Sequence, residues 1–258
     1  MPKRILALIL VFLSLNFALA QYGDRYNYGK NFKEFALMAG PVFFQSDYGA
    51  RNDFGNYLNN NGFGATLAVY FTPSDDNEAI KKHFKYRVDL NYMKATLQHY
   101  GQYVDPSKNS LFAVQLRGMR GSTTALGVGL QLEYFPLQTD DYLFRGNGFS
   151  PFISIGGQIN SYTATATSTL GPLGTSTTTP DKYKNAYRNE TQVVGSFSAG
   201  FGTRYKLGNS DALIVDVRFQ YYLTDWVDGL NPNRTIYTEN QSNDWMTFIN
   251  FGYVYYLE

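Results

Sequence analysis

Residues 84–92 read FKYRVDLNY and show the most regular alternation in the chain. Apolar side chains stand at every second position from Phe84 to Tyr92, and charged or amide side chains stand between them. This alternation is typical of a β-strand with one apolar and one polar face. A tilted strand of about ten residues can cross a bilayer, but a soluble sheet shows the same alternation. The number of such segments has to decide between the two.

Seven further segments repeat the pattern, at residues 35–44, 63–71, 126–134, 152–160, 193–205, 213–221 and 249–257. After residue 20, no apolar run is long enough for a transmembrane helix, so the chain can cross a membrane only as a closed sheet. The sequence therefore predicts an all-β fold, namely a closed antiparallel up-and-down transmembrane β-barrel with eight strands. The alternative is a soluble periplasmic β-sandwich, which leaves the tyrosines at the strand ends unexplained.

Those tyrosines fit an interfacial girdle with rings in lipid and hydroxyls among headgroups, and ordinary core aromatics are the alternative. They are Tyr70, Tyr92, Tyr134, Tyr205, Tyr221 and Tyr255. The last strand alternates Phe251, Tyr253, Tyr255 and Leu257, which resembles the aromatic signal that barrel-assembly machinery recognises in its clients. Glu258 departs from that signal because an acidic residue ends the chain.

The predicted connections alternate in length. The long ones cover residues 45–62, 97–125, 161–191 and 223–244, and the shorter ones cover 72–82, 136–150 and 207–211. Outer-membrane barrels have long loops outside and short periplasmic turns, so both termini are expected in the periplasm. The third long connection opens with TATATS, which favours either an exposed excursion or strands that extend beyond the membrane.

The N-terminus predicts export. Lys3 and Arg4 precede an apolar run that ends at Ala18-Leu19-Ala20, the pattern of a cleavable signal. We therefore expect a signal peptide at 1–20 and an outer-membrane barrel at 21–258. With no cysteine there is neither a lipid-anchor site nor a disulfide framework, and the net charge of +1 gives no reason to expect a nucleic-acid partner.

If the apolar faces meet lipid, the polar faces meet one another inside, and eight strands leave just enough room for side chains to fill the lumen. The predicted polar network in the lumen contains charges of both signs, which can pair. It comprises Lys85, Arg87, Asp89, Glu133, Arg204, Asp216 and Arg218. A structural plug is the favoured interpretation, and a narrow solute channel is the alternative.

Enzymatic chemistry has little support in the sequence. His83 and His99 are the two histidines, and Asp105 and Ser107 follow His99 in a predicted outer loop. Nucleophilic catalysis needs a positioned base and a group that orients it, and loop spacing does not supply them. We therefore predict no catalytic residues, with a hydrolase at the outer rim as the weaker alternative.

Oxygen-bearing side chains recur in two of the outer loops. They are Asp47, Asp53, Asp225, Asp228, Asn231 and Asp244. Carboxylate and amide oxygens can bind calcium, but Asp and Asn are also the common residues of turns, and the spacing of a calcium-binding hand is absent. We therefore predict neither a metal nor a cofactor.

The segment LRGMRGS, residues 116–122, is a candidate anion contact. Arg117 and Arg120 flank a glycine in a predicted flexible loop, and guanidinium groups pair well with phosphate. Lipopolysaccharide and other outer-membrane lipids are therefore expected partners, with ordinary solvation of a loop as the alternative.

Several loop stretches also resemble a family of exported flavobacterial proteins. They are GPVFFQSDYGARNDF from Gly40, LRGMRGSTTALGVGLQLEYFP from Leu116, TDWVDGLNPN from Thr224, and IYTENQSNDW from Ile236 through FGYVYYLE. The resemblance implies an outer-membrane barrel in Bacteroidota. Members sometimes carry the name glutamate dehydrogenase, which this sequence contradicts because it has no glycine-rich fingerprint and no alternation of strands with helices.

The order of elements and the Asp-Tyr-Gly loop after the first strand are also similar to PorG-type barrels associated with type IX secretion. This similarity concerns architecture and transfers no functional residue. We expect a structural or interaction component of the envelope, which binds a protein partner through its loops.

Overall fold

The computed structural model describes residues 33–51, 53–72, 83–137, 148–208 and 210–257. The predicted signal peptide at 1–20 lies outside the described residues. Eight strands form one closed barrel in which each strand pairs antiparallel with the next and β8 pairs with β1. The predicted all-β, eight-stranded, up-and-down barrel is therefore confirmed.

The strands are β1 (Lys33–Gln45), β2 (Asn61–Phe71), β3 (Phe84–Gln98), β4 (Met119–Tyr134), β5 (Phe149–Ser168), β6 (Thr191–Lys206), β7 (Asp211–Tyr222) and β8 (Trp245–Leu257). Two short helices, α1 (Phe54–Asn59) and α2 (Leu111–Gly118), lie in the first two long connections. None of the helices in the described part of the chain is long and apolar enough to span a membrane.

The period-two pattern sorts the side chains between the two faces of the barrel wall. On β4, Leu126, Val128 and Leu130 point outward and are exposed, while Gly127 and Gly129 point inward. Every strand contributes large exposed apolar side chains, which together form an apolar belt around the barrel. One member from each strand is Leu37, Leu67, Leu90, Val128, Ile155, Phe201, Val215 and Phe251.

All eight strands run beyond the predicted limits, and β4 and β5 do so by the most. β4 begins at Met119 instead of residue 126, and β5 continues to Ser168 instead of residue 160. The TATATS stretch therefore belongs to a strand, in which Ala164 and Ala166 are buried on the inner face. The prediction of a loop over 97–125 is wrong for residues 119–125, and of the two alternatives given for TATATS the structure shows the extended strand.

The four long connections, residues 46–60, 99–118, 169–190 and 223–244, lie at one end of the barrel, and we call them the loop layer. Residues 47–49 join all four. The amide of Asp47 donates to Asp228 Oδ2, Tyr183 Oη donates to the carbonyl of Asp47, and the amide of Gly49 donates to His99 Nδ1, at 2.6, 3.0 and 2.8 Å. The loop layer is therefore a folded cap.

Candidate functional site

The lumen contains a chain of alternating positive and negative side chains. Its first link is Glu34 on β1, whose carboxylate accepts from both Lys85 and Arg204. All three side chains are buried. The anion of β1 thereby joins cations from β3 and β6 across the interior of the barrel.

Glu133 on β4 forms the next link. It accepts from Arg87 Nη1 at 2.6 Å and from Arg204 Nη2 at 3.1 Å. Both guanidinium groups and the carboxylate are excluded from solvent. Glu133 is therefore the anion that holds these two arginines together.

Two aspartates complete the chain. Asp89 accepts from Arg218 Nη1 at 3.1 Å and lies 2.9 Å from Arg87 Nε, and Asp216 lies 3.4 Å from Arg87 Nη1. Gln131 Nε2 also donates to Asp89 at 2.6 Å. These contacts link charges from β3 and β7, and the Gln131 amide of β4 adds a neutral donor.

Charge balance explains why the barrel tolerates this interior. This network of lumen side chains contains four cations and four anions, and each has an oppositely charged neighbour. A lone buried charge costs several kcal/mol, whereas a paired and hydrogen-bonded charge recovers most of that cost. All seven of the lumen residues predicted from the sequence lie inside the barrel and take part in this network.

Glu34 is not among the lumen residues predicted from the sequence, and Tyr70 lies inside the barrel instead of on the predicted girdle. Extending the alternation of β1 by one residue before Phe35 would have turned Glu34 inward. Tyr70 was predicted on the outer girdle, but it alternates with the outward Val69 and Phe71 and is buried in the lumen. Its ring lies 4.3 Å from the Arg204 guanidinium carbon, a cation–π contact.

An apolar cluster fills the barrel between the charge network and the loop layer. Its buried members come from the strands and from all four long connections. They include Val42, Phe44, Tyr48, Met93, Leu97, Leu116, Tyr183, Tyr222, Val227, Leu230 and Phe248. This packing closes the end of the lumen that the loop layer covers.

Four aspartates meet inside the loop layer around one arginine. Arg51 Nη2 lies 2.6 Å from Asp47 Oδ1, 2.8 Å from Asp225 Oδ1 and 3.7 Å from Asp244 Oδ1. Asp228 is buried beside them and holds the amide of Asp47. The structure thus brings together residues from the first and last long loops.

The surplus of negative charge in this cluster raises its pKa values. Burial, with repulsion from Asp47, raises the pKa of Asp225 to about 7. Burial and the neighbouring carboxylates raise the pKa values of Asp228 and Asp244 well above their ordinary range. Two cations partly oppose this rise. Lys182 acts to lower the pKa of Asp47, and Arg234, which lies 3.3 Å from Asp225 Oδ2, acts to lower the pKa of Asp225. These aspartates therefore hold a proton more strongly than solvent-exposed aspartates do.

The other two candidate calcium ligands lie elsewhere. Asp53 caps α1 by accepting from the amides of Gly55 and Asn56, and the amide of Asn231 donates to the carbonyl of Ala186. Across the described residues, His, Cys, Asp and Glu form no group of three or more placed to hold a metal ion. The cluster around Arg51 is an ion-paired junction between loops.

His99 lies buried within the loop layer. Its ring centroid is 5.1 Å from that of Tyr48 and 5.5 Å from that of Tyr183, and its Nδ1 accepts from Gly49. Burial, with repulsion from Lys182 and Arg120, lowers the pKa of His99 to about 3. A base this weak does not activate a nucleophile at neutral pH, so this geometry offers no support for a rim hydrolase.

His83 occupies the opposite end of the barrel. Its Nδ1 lies 2.6 Å from the carbonyl oxygen of Phe135, and its ring lies 5.9 Å from that of Tyr134. Asp105 and Ser107 bond to each other in the second long loop, where Asp105 Oδ1 accepts from the amide and the hydroxyl of Ser107. The two histidines therefore do not converge on a common site.

The segment with Arg117 and Arg120 lies in regular secondary structure, so the prediction of a loop at these residues is wrong. Arg117 is in the last turn of α2, and Arg120 is the second residue of β4. Arg117 Nη1 donates to the carbonyls of Asp105 and Lys108, and Arg120 Nη1 donates to those of Arg117 and Met119. Both arginines, with His99, line an open depression of about 550 Å³.

Solved structures similar to this chain are bacterial outer-membrane proteins. Neisserial surface protein A has 12% identity, with 87% of this chain and 96% of that chain covered and a TM-score of 0.44. A major outer membrane protein from Thermus thermophilus has 16% identity, with 87% and 98% covered and a TM-score of 0.46. OprG from Pseudomonas aeruginosa has 12% identity, with 88% and 98% covered and a TM-score of 0.41.

No model of a known protein family matches this chain. No curated protein matches its sequence. The resemblances to the exported flavobacterial family and to PorG-type barrels therefore stay predictions. The barrel itself is established by the strand pairings of this chain.

Proposed function

We propose that this protein is an integral outer-membrane β-barrel with a side-chain-filled lumen, whose loop layer acts as an interaction surface of the bacterial envelope. The inverted distribution of side chains carries the proposal. Large apolar side chains surround the outside of the wall, and eight paired charges lie within it. This arrangement suits a barrel whose outer surface meets lipid.

The contents of the lumen favour a plug over a solute channel. The charges are neutralised by one another, and the apolar cluster closes the end that faces the loop layer. A conducting path would have to break these ion pairs and displace packed aromatic rings. Single-channel recording in planar bilayers tests this: silence is expected, and stepwise conductance would favour the channel.

The loop layer supports an interaction role because it presents apolar side chains on an ordered surface. Leu111 and Phe112 begin α2, Leu170 follows β5, and all three are exposed. A Cβ placed on Gly118 of α2 would lie 3.0 Å from Leu170 Cγ, so the two elements pack closely. Exposed apolar groups on a folded scaffold are typical of a protein-binding surface.

Membrane fractionation followed by gentle detergent extraction of a tagged copy tests the proposal. We expect the protein in the outer membrane with a stoichiometric protein partner. The resemblance to PorG-type barrels makes type IX secretion the first pathway to test for that partner. Recovery in the soluble fraction would contradict membrane insertion, and recovery from the outer membrane without a partner would contradict the interaction role.

A second candidate role is contact with an anionic lipid such as lipopolysaccharide. Arg117 and Arg120 line the same depression, which favours a phosphate-bearing ligand there. The double substitution Arg117→Ala with Arg120→Ala should lower the amount of lipopolysaccharide that co-purifies. An unchanged amount, with the variant correctly folded, would remove this candidate.

A further inference from the structure

Helix α1 packs against the outside of the barrel wall, beside the loop-layer end of the apolar belt. The ring of Tyr57 lies 5.1 Å from that of Trp245 and 6.0 Å from that of Phe43. Trp245 begins β8 and Phe43 is near the end of β1, and the alternation of each strand turns them outward. Thr247, on the same outward face of β8, is buried, and Tyr57 lies against it.

The apolar face of α1 begins at Tyr57, against the wall, and continues into two exposed side chains. Phe54 is 70% exposed and Leu58 is 39% exposed. With Tyr57 they occupy positions i, i+3 and i+4, which share one face of a helix. The rings of Phe54 and Tyr57 lie 6.3 Å apart, so the face is continuous with the aromatic contacts on the wall.

Buried asparagines fix the orientation of this helix. Asn56 Oδ1 accepts from the amide of Tyr100 at 3.1 Å. Asn60, directly after α1, donates to the carbonyl of Tyr48 at 2.9 Å and accepts from the amide of Gln98 at 2.8 Å. The polar side of α1 is therefore tied to the loop layer, and the helix cannot turn its apolar face inward without breaking these bonds.

We propose that α1 is an interfacial foot, whose face of Phe54, Tyr57 and Leu58 inserts into the outer leaflet where headgroups meet acyl chains. This inference rests on the proposed insertion of the barrel in the outer membrane. The occupant is lipid because the face continues the apolar belt, and because aromatic rings are enriched at that depth. Interfacial helices of this kind lie about 5–10 Å into the boundary.

The absence of native cysteine allows a single environment-sensitive dye to be attached at a chosen position. Phe54→Cys and Leu58→Cys place the dye on the foot, Leu130→Cys places it on the apolar belt, and Leu111→Cys places it on α2. Leu130 and Leu111 are matched controls because each is 59% exposed. Each variant is folded into phosphatidylcholine vesicles that carry a nitroxide quencher either high or low on the acyl chain.

We expect the shallow quencher to act at least about two-fold more strongly than the deep one on the dye at Phe54→Cys and Leu58→Cys. The dye at Leu130→Cys should be quenched from within the bilayer, and the dye at Leu111→Cys should not be quenched. A heat-dependent shift in gel mobility verifies that each variant is folded. If Phe54→Cys does not fold, the quenching of the dye at Leu58→Cys alone tests whether α1 inserts.

Quenching at Leu130→Cys without quenching on the foot would overturn this inference and leave the membrane insertion standing. No quenching at Leu130→Cys would overturn the insertion and the inference together. Equal quenching at Leu111→Cys would show that the dye itself seeks lipid, which would also overturn the inference.

Discussion

Replacing Glu133 with glutamine tests whether the lumen depends on charge balance. Glu133 accepts from Arg87 and from Arg204, so Glu133→Gln leaves four cations against three anions in a closed interior. Removing one partner of a buried ion pair costs about 3–5 kcal/mol. We expect the free energy of unfolding, measured by urea titration in lipid vesicles, to fall by about that amount.

Two further variants sharpen this test. Glu133→Gln combined with Arg204→Gln restores equal numbers of cations and anions. The double variant should therefore lose about 0.5–3 kcal/mol less unfolding free energy than the sum of the losses in Glu133→Gln and Arg204→Gln alone. Leu130→Val, on the outward face of the same strand, removes one methylene and should cost only about 0.8 kcal/mol. The reasoning is refuted if Glu133→Gln costs no more than Leu130→Val, or if the double variant shows the full sum of the single losses.

Three other outcomes follow from the loop layer and the lumen. Because the pKa of Asp225 rises from 3.8 to about 7, the folded layer binds a proton that the unfolded loop releases. The stability from this group is present below about pH 4 and lost as pH rises through about 7. The hydrogen-exchange protection factors of loop-layer amides, which are corrected for the pH dependence of intrinsic exchange, should therefore be higher at about pH 5 than at about pH 8, and Asp225→Asn should reduce the difference. His99→Phe removes the acceptor for Gly49 and should destabilise the layer by about 1–3 kcal/mol at about pH 8. The loss should be smaller at about pH 5, because there the unfolded chain protonates His99 whereas the buried ring, with a pKa of about 3, stays neutral, and the variant no longer carries that penalty. In conductance recordings, Arg204→Ala should give openings more often than the wild type, because it removes a side chain that joins two anions of the lumen; identical silent traces would contradict this.

The sequence predicts strands well wherever a strand crosses the apolar belt. Residues 84–92 and 215–221 alternate strictly because one face needs apolar side chains at every second position. The prediction fails where strands leave the belt. Arg120, Ser122 and Thr124 occupy outward positions of β4, so polar side chains replace the apolar ones and the periodicity disappears.

The loop layer was harder to predict because its contacts join residues far apart in the chain. Turn chemistry explains an aspartate such as Asp47 or Asp228 equally well in isolation. Only the closure of the barrel brings β8 beside β1, and with it the last long loop beside the first. The cluster around Arg51 was therefore recognisable from composition as a set of acidic residues, but its geometry depended on the register of the whole sheet.

The order within the loop layer bears on how it would bind a partner. Asp228 accepts from the amides of Asp47 and Leu230, and Asp47 also accepts from Arg51, so the first and last long loops are held together without any ligand. A preformed surface avoids the entropy cost of ordering loops on binding. Exposed groups such as Leu111 then provide the contacts, while buried ones provide the shape. Substitution of Asp228 should consequently weaken partner binding although its side chain never meets the partner.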